Sequence, residues 1–300
     1  MIATRSTCGS RALKPKRHGS VEALAPDGEY AVTSRIDGVA RVWRAGSAQP
    51  MLSQPHGRVF DLSTKYAALG LMTLDGFGRP DNKAEMPLRI VRLADALVVA
   101  ELMLADGLRQ AVFSPDGGRL LLVTDDYTLR MIEPTTGRPL WQLAGGKGIR
   151  TVVFSGDSQL LAATQPAASD GSVEILDVAT GNPIRESING SAGATVMVLT
   201  LGDDGALLAT GEVSGGVAVH DTASGRQLMR ASHNDQIVDI ALNADHRLLA
   251  TASADGSTRI LDLRKGQEVA RIAAVPTVSV CGRCVLTNWW PMPVAGSLAT

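Results

Sequence analysis

The sequence is poor in aromatic residues, in cysteine and in net charge. Aromatic residues make up 4 % of the 300 residues although 45 % are hydrophobic, so a core must be built mainly from leucine, valine, isoleucine and alanine. Three cysteines are too few to hold a chain of this size together by disulfides. A formal net charge of −1 argues against a general nucleic-acid or anionic-membrane binder, because such proteins carry an excess of basic residues.

Long apolar runs are missing as well. No stretch of about 18 uninterrupted apolar residues occurs, which argues against a transmembrane helix. Residues 1–20 lack the apolar segment that a secretory signal peptide requires. We therefore expect a cytoplasmic protein whose partners include neither membrane nor nucleic acid.

A tight turn followed by an apolar strand recurs along the chain. In five copies a turn residue precedes an anchor residue by six positions: Asp37 before Trp43, Asp126 before Ile132, Asp170 before Leu176, Ser214 before His220 and Asp255 before Leu261. Val91 is the anchor of a further copy that has a longer loop. Consecutive anchors are 41 to 48 residues apart, which indicates an internal repeat.

Each copy carries four short strands. In the last complete copy they read IVDIAL, LLATAS, STRILDL and QEVARI, and turn sequences separate them. A four-stranded twisted sheet buries both faces when copies stack around an axis, so the repeat predicts an all-β chain folded as a single β-propeller. Leu161 and Leu249, on equivalent second strands, are expected to be buried between blades.

We expect seven blades. Residues 18–272 hold six, and residues 273–300 contain an apolar segment that resembles part of another. The N-terminal segment, residues 1–17, supplies a strand to complete that blade and a basic linker. The rival arrangement is a six-bladed ring with residues 273–300 loosely attached.

The pattern SPDG…DG(x)4WD resembles the WD-repeat family of β-propellers over roughly residues 18–287. In that family a histidine, a serine or threonine, the turn aspartate and a tryptophan form a buried hydrogen-bonded tetrad. The sixth copy supplies three of these residues, and Leu261 replaces the tryptophan. The structural residues implied by the resemblance are His18, Thr33, Asp37, Trp43, Asp126, Asp170, His233, Thr251 and Asp255.

Catalytic and metal-binding motifs are largely missing from the sequence. The glycine-rich stretch 144–148 departs from a phosphate loop, because Gly148 follows Lys147 where a serine or threonine is required. Cys281 and Cys284 form a Cys-x-x-Cys pair, but a structural zinc site needs four ligands and only Cys8 remains. We expect a hairpin there, with zinc binding or thiol exchange as the alternative, and no metal or other cofactor.

The residue before the turn position in each copy is expected to line one face of the disc. Those residues are Ile36, Asp125, Ser169, Val213 and Ala254. An extended loop at 74–87 adds Phe77, Arg79 and Lys83 on the same face, with a tolerated insertion as the equal alternative. Together they predict a mixed apolar and polar patch for a protein or peptide partner.

The sequence therefore favours a monomeric, non-catalytic scaffold or sensor that binds another protein. The alternative is an enzyme of the quinone-binding dehydrogenase type, because TGRPLW at 136–141 resembles the TGxxxW end of its blades. Such an enzyme needs an acidic metal-binding set, and none is found in register.

Overall fold

A computed structural model describes residues 19–35, 39–55, 57–71, 86–144, 149, 151–164, 171–188 and 195–273. Every regular element in these ranges is a β-strand, so the predicted all-β class is confirmed. The strands form six antiparallel sheets, and each sheet takes its strands in chain order. We call these sheets blades 1 to 6, and the connections within a blade its first, second and third turns.

The first three blades have four strands each. Blade 1 contains β1 (Gly19–Leu24), β2 (Tyr30–Arg35), β3 (Val39–Arg44) and β4 (Leu52–Pro55). Blade 2 contains β5 (Gly57–Leu62), β6 (Tyr66–Leu71), β7 (Met86–Arg92) and β8 (Leu97–Leu104). Blade 3 contains β9 (Gln110–Phe113), β10 (Leu120–Val123), β11 (Leu129–Ile132) and β12 (Pro139–Leu143).

The last three blades differ in strand number. Blade 4 contains β13 (Val152–Phe154), β14 (Leu160–Thr164) and β15 (Val173–Asp177). Blade 5 contains β16 (Val196–Leu201), β17 (Leu207–Glu212), β18 (Gly216–Asp221) and β19 (Gln227–Ser232). Blade 6 contains β20 (Ile237–Leu242), β21 (Leu248–Ser253), β22 (Ser257–Asp262) and β23 (Gln267–Ala273).

Blade 4 corrects the prediction of four regular strands in every copy. Its fourth segment is joined to β15 only by isolated bridges, Leu176 to Pro183 and Val173 to Ile188. Pro183 lies at a non-hydrogen-bonded position of its bridge, because the N–H of Ile184 donates to the Ile175 carbonyl and the N–H of Asp177 donates to the Asn182 carbonyl on either side of it.

The blades are arranged as a β-propeller. First strands of neighbouring blades contact one another, as β5 does β9, β13 does β16 and β16 does β20. First strands therefore line the axis, and fourth strands lie at the rim. Because each blade is a meander, the second turns lie on one face of the disc and the first and third turns lie on the other.

Apolar side chains between consecutive blades form the core. The residue before each anchor contributes to the cluster that joins its blade to the next, and it is at most 1 % exposed in five blades: Val42, Ile90, Met131, Ile175 and Val219. Leu161 and Leu249, predicted to be buried, have no exposed surface.

Among the described residues, blades 1 and 6 each have one face that no neighbouring blade covers. Ile260, which stands where Val219 stands one blade earlier, is partly exposed, and so is its cross-strand partner Ala250. On blade 1 the anchor Trp43 is partly exposed too. Among the described residues no apolar cluster joins blade 6 to blade 1. The predicted seventh blade lies outside the described residues and stays a prediction.

Candidate functional site

Three of the predicted contact positions lie in described second turns. Asp125, Val213 and Ala254 occupy the same place in blades 3, 5 and 6, immediately before the turn residue. All three are exposed: the Asp125 side chain is 60 % exposed and Val213 is 44 % exposed. We call these three residues the second-turn face.

Hydrogen bonds hold the second turn of blade 3 from within. The Thr124 hydroxyl donates to Asp126 Oδ1, and the Thr128 hydroxyl donates to Asp126 Oδ2 at 2.9 Å. The backbone N–H of Thr128 also donates to Asp126 Oδ1 at 3.0 Å. These donors, the Thr124 hydroxyl foremost, lower the pKa of Asp126. The carboxylate is therefore engaged in the turn, and Asp125 beside it faces solvent.

The second turn of blade 5 uses a glutamate instead. The Ser214 hydroxyl donates to Oε2 of the buried Glu212 at 2.8 Å. Gly215 follows with φ +84°, and a Cβ there would lie 2.5 Å from the carbonyl oxygen of His233. Only glycine fits this position, so Val213 is held at a turn of fixed shape.

Blade 6 contains the most complete polar network. The Ser257 hydroxyl donates to Asp255 Oδ1 at 2.6 Å, and the N–H of Asn234 donates to Asp255 Oδ2 at 2.9 Å. The ring of His233 bridges the Ser257 hydroxyl at 2.9 Å and the Thr251 hydroxyl at 2.8 Å. This geometry resembles the expected tetrad, with Ser257 as a member that sequence reasoning missed.

Both ionisable groups of this network have perturbed pKa values. The Ser257 hydroxyl, with the N–H groups of Asn234 and Ser257, holds the pKa of Asp255 far below its usual range. Burial lowers the pKa of His233, and the positive charge of Arg259 adds to this effect. His233 is therefore neutral near pH 7 and acts as a hydrogen-bonding brace.

Blade 1 keeps part of the same arrangement. The indole N–H of Trp43 donates to the Thr33 hydroxyl at 2.9 Å. In blade 5 the equivalent residues are His220 and Thr210, and the Nδ1 atom of His220 and the Oγ1 atom of Thr210 are buried without a hydrogen-bond partner.

A charged and aromatic cluster adjoins Asp125. The Arg109 guanidinium lies 4.3 Å from the ring centroid of Tyr127 and forms a 3.4 Å ion pair with Asp125. Arg130 pairs with Asp106 nearby at 2.6 Å. Sequence reasoning missed this cluster, because its residues come from a second turn, a third strand and the link between blades.

The remaining predicted site residues lie outside the described residues. This applies to the contact candidates Ile36, Phe77, Arg79, Lys83 and Ser169 and to the structural candidates His18, Asp37 and Asp170. Cys8, Cys281 and Cys284 lie outside them too.

Metal-binding clusters and membrane-spanning helices are both missing from the described part of the chain. There, no group of three or more histidine, cysteine, aspartate and glutamate side chains is placed to hold a metal ion. The same residues contain no helix long and apolar enough to cross a membrane.

Residues 101–268 match the family described as outer membrane protein assembly factor BamB. The chain is also similar to solved structures of Hsv2. For Kluyveromyces lactis Hsv2 with loop 6CD replaced by a Gly-Ser linker, the TM-score is 0.64 at 14 % identity, over 87 % of this chain and 83 % of that one.

Two further Hsv2 structures give the same fold. The Kluyveromyces lactis protein with its complete loop 6CD has a TM-score of 0.59 at 15 % identity, over 80 % of this chain and 72 % of that one. The Kluyveromyces marxianus protein has a TM-score of 0.59 at 14 % identity, over 80 % of this chain and 75 % of that one. No curated protein matches the chain in sequence.

Proposed function

The chain belongs to the family described as outer membrane protein assembly factor BamB, and on this premise we propose that it is a non-catalytic scaffold. In this proposal it binds a protein or peptide partner through the second-turn face. The family description supports a role in bringing other proteins together, since an assembly factor acts on a protein partner.

The observation that carries the proposal is the way the second turns are built. In blades 3, 5 and 6 the acidic group is engaged in hydrogen bonds within or beside its own turn, while the residue just before the turn position (Asp125, Val213 or Ala254) is exposed. Binding to a surface that is already rigid loses little conformational entropy, which favours a recognition role. The three exposed side chains are one acid and two apolar groups, a mixture suited to a polypeptide.

The first experiment compares two matched triple variants. A partner is captured from native cells, identified by mass spectrometry and purified, and its affinity is measured for D125R/V213E/A254E. The control, D27R/A223E/L228E, makes the same chemical changes at exposed positions on first and third turns and an outer strand. We expect the second-turn variant to weaken binding by about tenfold or more and the control by about twofold or less.

The melting temperature separates binding from folding in this experiment. Both variants should melt near the wild type, because exposed substitutions change stability by about 0.5 kcal/mol or less. Equal losses of affinity in the two variants would contradict the proposal. Charge reversal of Arg79 and Lys83 extends the test to the 74–87 loop, where undiminished binding would leave that loop a tolerated insertion.

A quinone-binding enzyme is the second candidate, and it rests on the resemblance of TGRPLW at 136–141 to the ends of such blades. Trp141, the last residue of TGRPLW, packs on the backbone of blade 4: a Cβ at Gly181 would lie 2.7 Å from Trp141 Cδ2. The Trp141 indole N–H donates to the carbonyl of Val178 at 2.8 Å. An absorbance scan of the protein purified from its native cells tests the candidate, because a bound quinone absorbs where protein does not.

WD-like repeats, a monomeric state and a cytoplasmic location complete the proposal. The network of His233, Thr251 and Asp255 supports WD-like kinship for blade 6. Light scattering of the purified protein tests the monomer. Cell fractionation tests the location, and recovery in the cell envelope would instead agree with the family description.

A further inference from the structure

We infer that the outer strand of blade 2, β8, accepts an extended polypeptide segment as an added β-strand. β8 runs from Leu97 to Leu104 and is the edge of its sheet, and no described strand pairs with its outer side. An edge strand presents a row of unpaired backbone N–H and C=O groups, which another extended chain can complete.

The side chains of β8 are unusually apolar for an edge. Leu97, Val98 and Met103 are 55 %, 46 % and 58 % exposed. The one charged residue of the strand, Glu101, is paired with Arg89 at 2.9 Å within the same sheet. The exposed edge therefore offers apolar contacts together with a backbone ladder.

The other outer strands carry features that oppose strand addition. Strand β4 has four residues and ends at Pro55, and β12 begins with Pro139. Strand β19 contains Arg230, and β23 contains Glu268 and Arg271. Proline and charge are the residues that natural proteins use to block edges. Strand β8, eight residues long, has no proline, and Glu101 is its one charged residue.

One side of β8 is firmly held in the propeller. A Cβ at Gly137 of blade 3 would lie 2.7 Å from Leu102 Cδ2 and 3.6 Å from Ala100 Cβ. The strand is thus fixed before a partner arrives, so that adding a strand orders only the partner. The fitting partner is an unfolded or extended segment with apolar residues at alternate positions, because successive side chains point to opposite faces of a sheet.

The test uses a labelled peptide, Lys-Lys-Val-Thr-Val-Thr-Val-Thr-Lys-Lys, and the full-length protein. Fluorescence anisotropy should show binding, and V98K/M103K should weaken it about tenfold or more by placing charge on the edge. The control L228K/V269K changes similarly exposed apolar residues on β19 and β23 and should weaken binding about twofold or less.

A backbone-modified peptide tests the ladder itself. The analogue that is N-methylated at all six central residues keeps the side chains but has no backbone N–H to donate along either edge, so it should not bind. Hydrogen exchange should show protection of residues 97–104 when the unmodified peptide is present.

Three results would overturn the inference: no binding of the unmodified peptide, equal binding of the methylated analogue, or equal effects of V98K/M103K and its control. Light scattering that shows a dimer which V98K/M103K converts to a monomer would also overturn it, because a second copy would then occupy the edge. The variant D125R/V213E/A254E should leave peptide binding unchanged. Failure of the second-turn proposal can therefore be distinguished from failure of the inference about β8.

Discussion

The Nε2 atom of His246 accepts a 2.7 Å hydrogen bond from the backbone N–H of Asp203, and this bond joins the first turns of blades 6 and 5. The same face carries further links between first turns: Asp157 N–H donates to the Asp203 carbonyl at 2.7 Å, and Asp116 N–H donates to the Ser158 hydroxyl at 3.1 Å. The face opposite the second-turn face is therefore tied together from blade to blade.

Replacing His246 should loosen this tie. His246 has φ +54°, a conformation that is unfavourable for residues other than glycine. His246→Ala loses the hydrogen bond and keeps the strain, and should lower the free energy of unfolding by about 1 kcal/mol. His246→Gly loses the bond but relieves the strain, so it should cost less than the alanine variant. Urea unfolding measures both, and an alanine variant as stable as the wild type would contradict the role of the bond.

Gly181 should be intolerant of a side chain. It has φ +73°, and its Cβ would lie 2.7 Å from Trp141 Cδ2. Strain and overpacking together predict that Gly181→Ala costs about 2–5 kcal/mol. Gly266 has φ +65° with nothing within 4 Å of its Cβ position, so Gly266→Ala should cost about 1–2 kcal/mol from strain alone. Equal costs in urea unfolding would refute the contact between Trp141 and Gly181.

His220 should make the protein less stable in acid. Burial, and then the charge of Arg185, lowers the pKa of His220 in the folded state below its ordinary value of 6.5. The unfolded chain therefore binds the proton first as pH falls. The contribution of neutral His220 to the free energy of unfolding is therefore fully present above about pH 6.5. Below that pH the free energy of unfolding decreases, by at most about 1.4 kcal/mol per pH unit for one group. His233, whose pKa is also lowered, acts in the same direction.

The variant His220→Leu isolates this effect. Leucine occupies the anchor position in blades 4 and 6, as Leu176 and Leu261, and both are buried. The substitution removes a buried Nδ1 atom that has no partner, so it should be neutral or stabilising at pH 7. Thermal melts from pH 5 to 8 should show a shallower pH dependence than the wild type. An unchanged slope would show that His220 does not titrate on unfolding.

Ile260 tests the predicted seventh blade. If the full chain covers blade 6 as blade 6 covers Val219, then Ile260→Asp should destabilise the protein by about 3 kcal/mol or more, like Val219→Asp. A cost below about 0.5 kcal/mol would place Ile260 on an open surface. Limited proteolysis is the companion measurement: rapid loss of residues 273–300 that leaves a stable core would exclude the seventh blade.

Much of the fold was predictable, because the repeat spacing fixes the strand register of each blade from its turn residue and its anchor residue. The spacing of six from turn residue to anchor correctly placed Asp255 in the turn before β22 and Leu261 within that strand. Burial of Leu161 and Leu249 followed, since residues that are equivalent in register are equivalent in environment. The repeat spacing does not reveal that the fourth segment of blade 4 pairs with β15 only through isolated bridges.

The candidate site was less predictable, since its contacts join loops that are distant in sequence. The Arg109–Tyr127 contact combines a link between blades with a second turn and leaves no spacing signal. Ser257 was missed because the expected tetrad draws its hydroxyl from the second strand, whereas Ser257 opens the third. Such contacts depend on the closeness of loops in the folded chain.

Photo-crosslinking at position 213 is the most direct test of partner binding through the second-turn face. A photoreactive amino acid is placed either there or at position 228 of the same blade. Val213 and Leu228 are 44 % and 45 % exposed, so the two probes are equally accessible. Irradiation with the purified partner should give a covalent adduct from position 213 and none from position 228. An adduct from position 228 alone, or equal adducts from both, would contradict the proposed binding face.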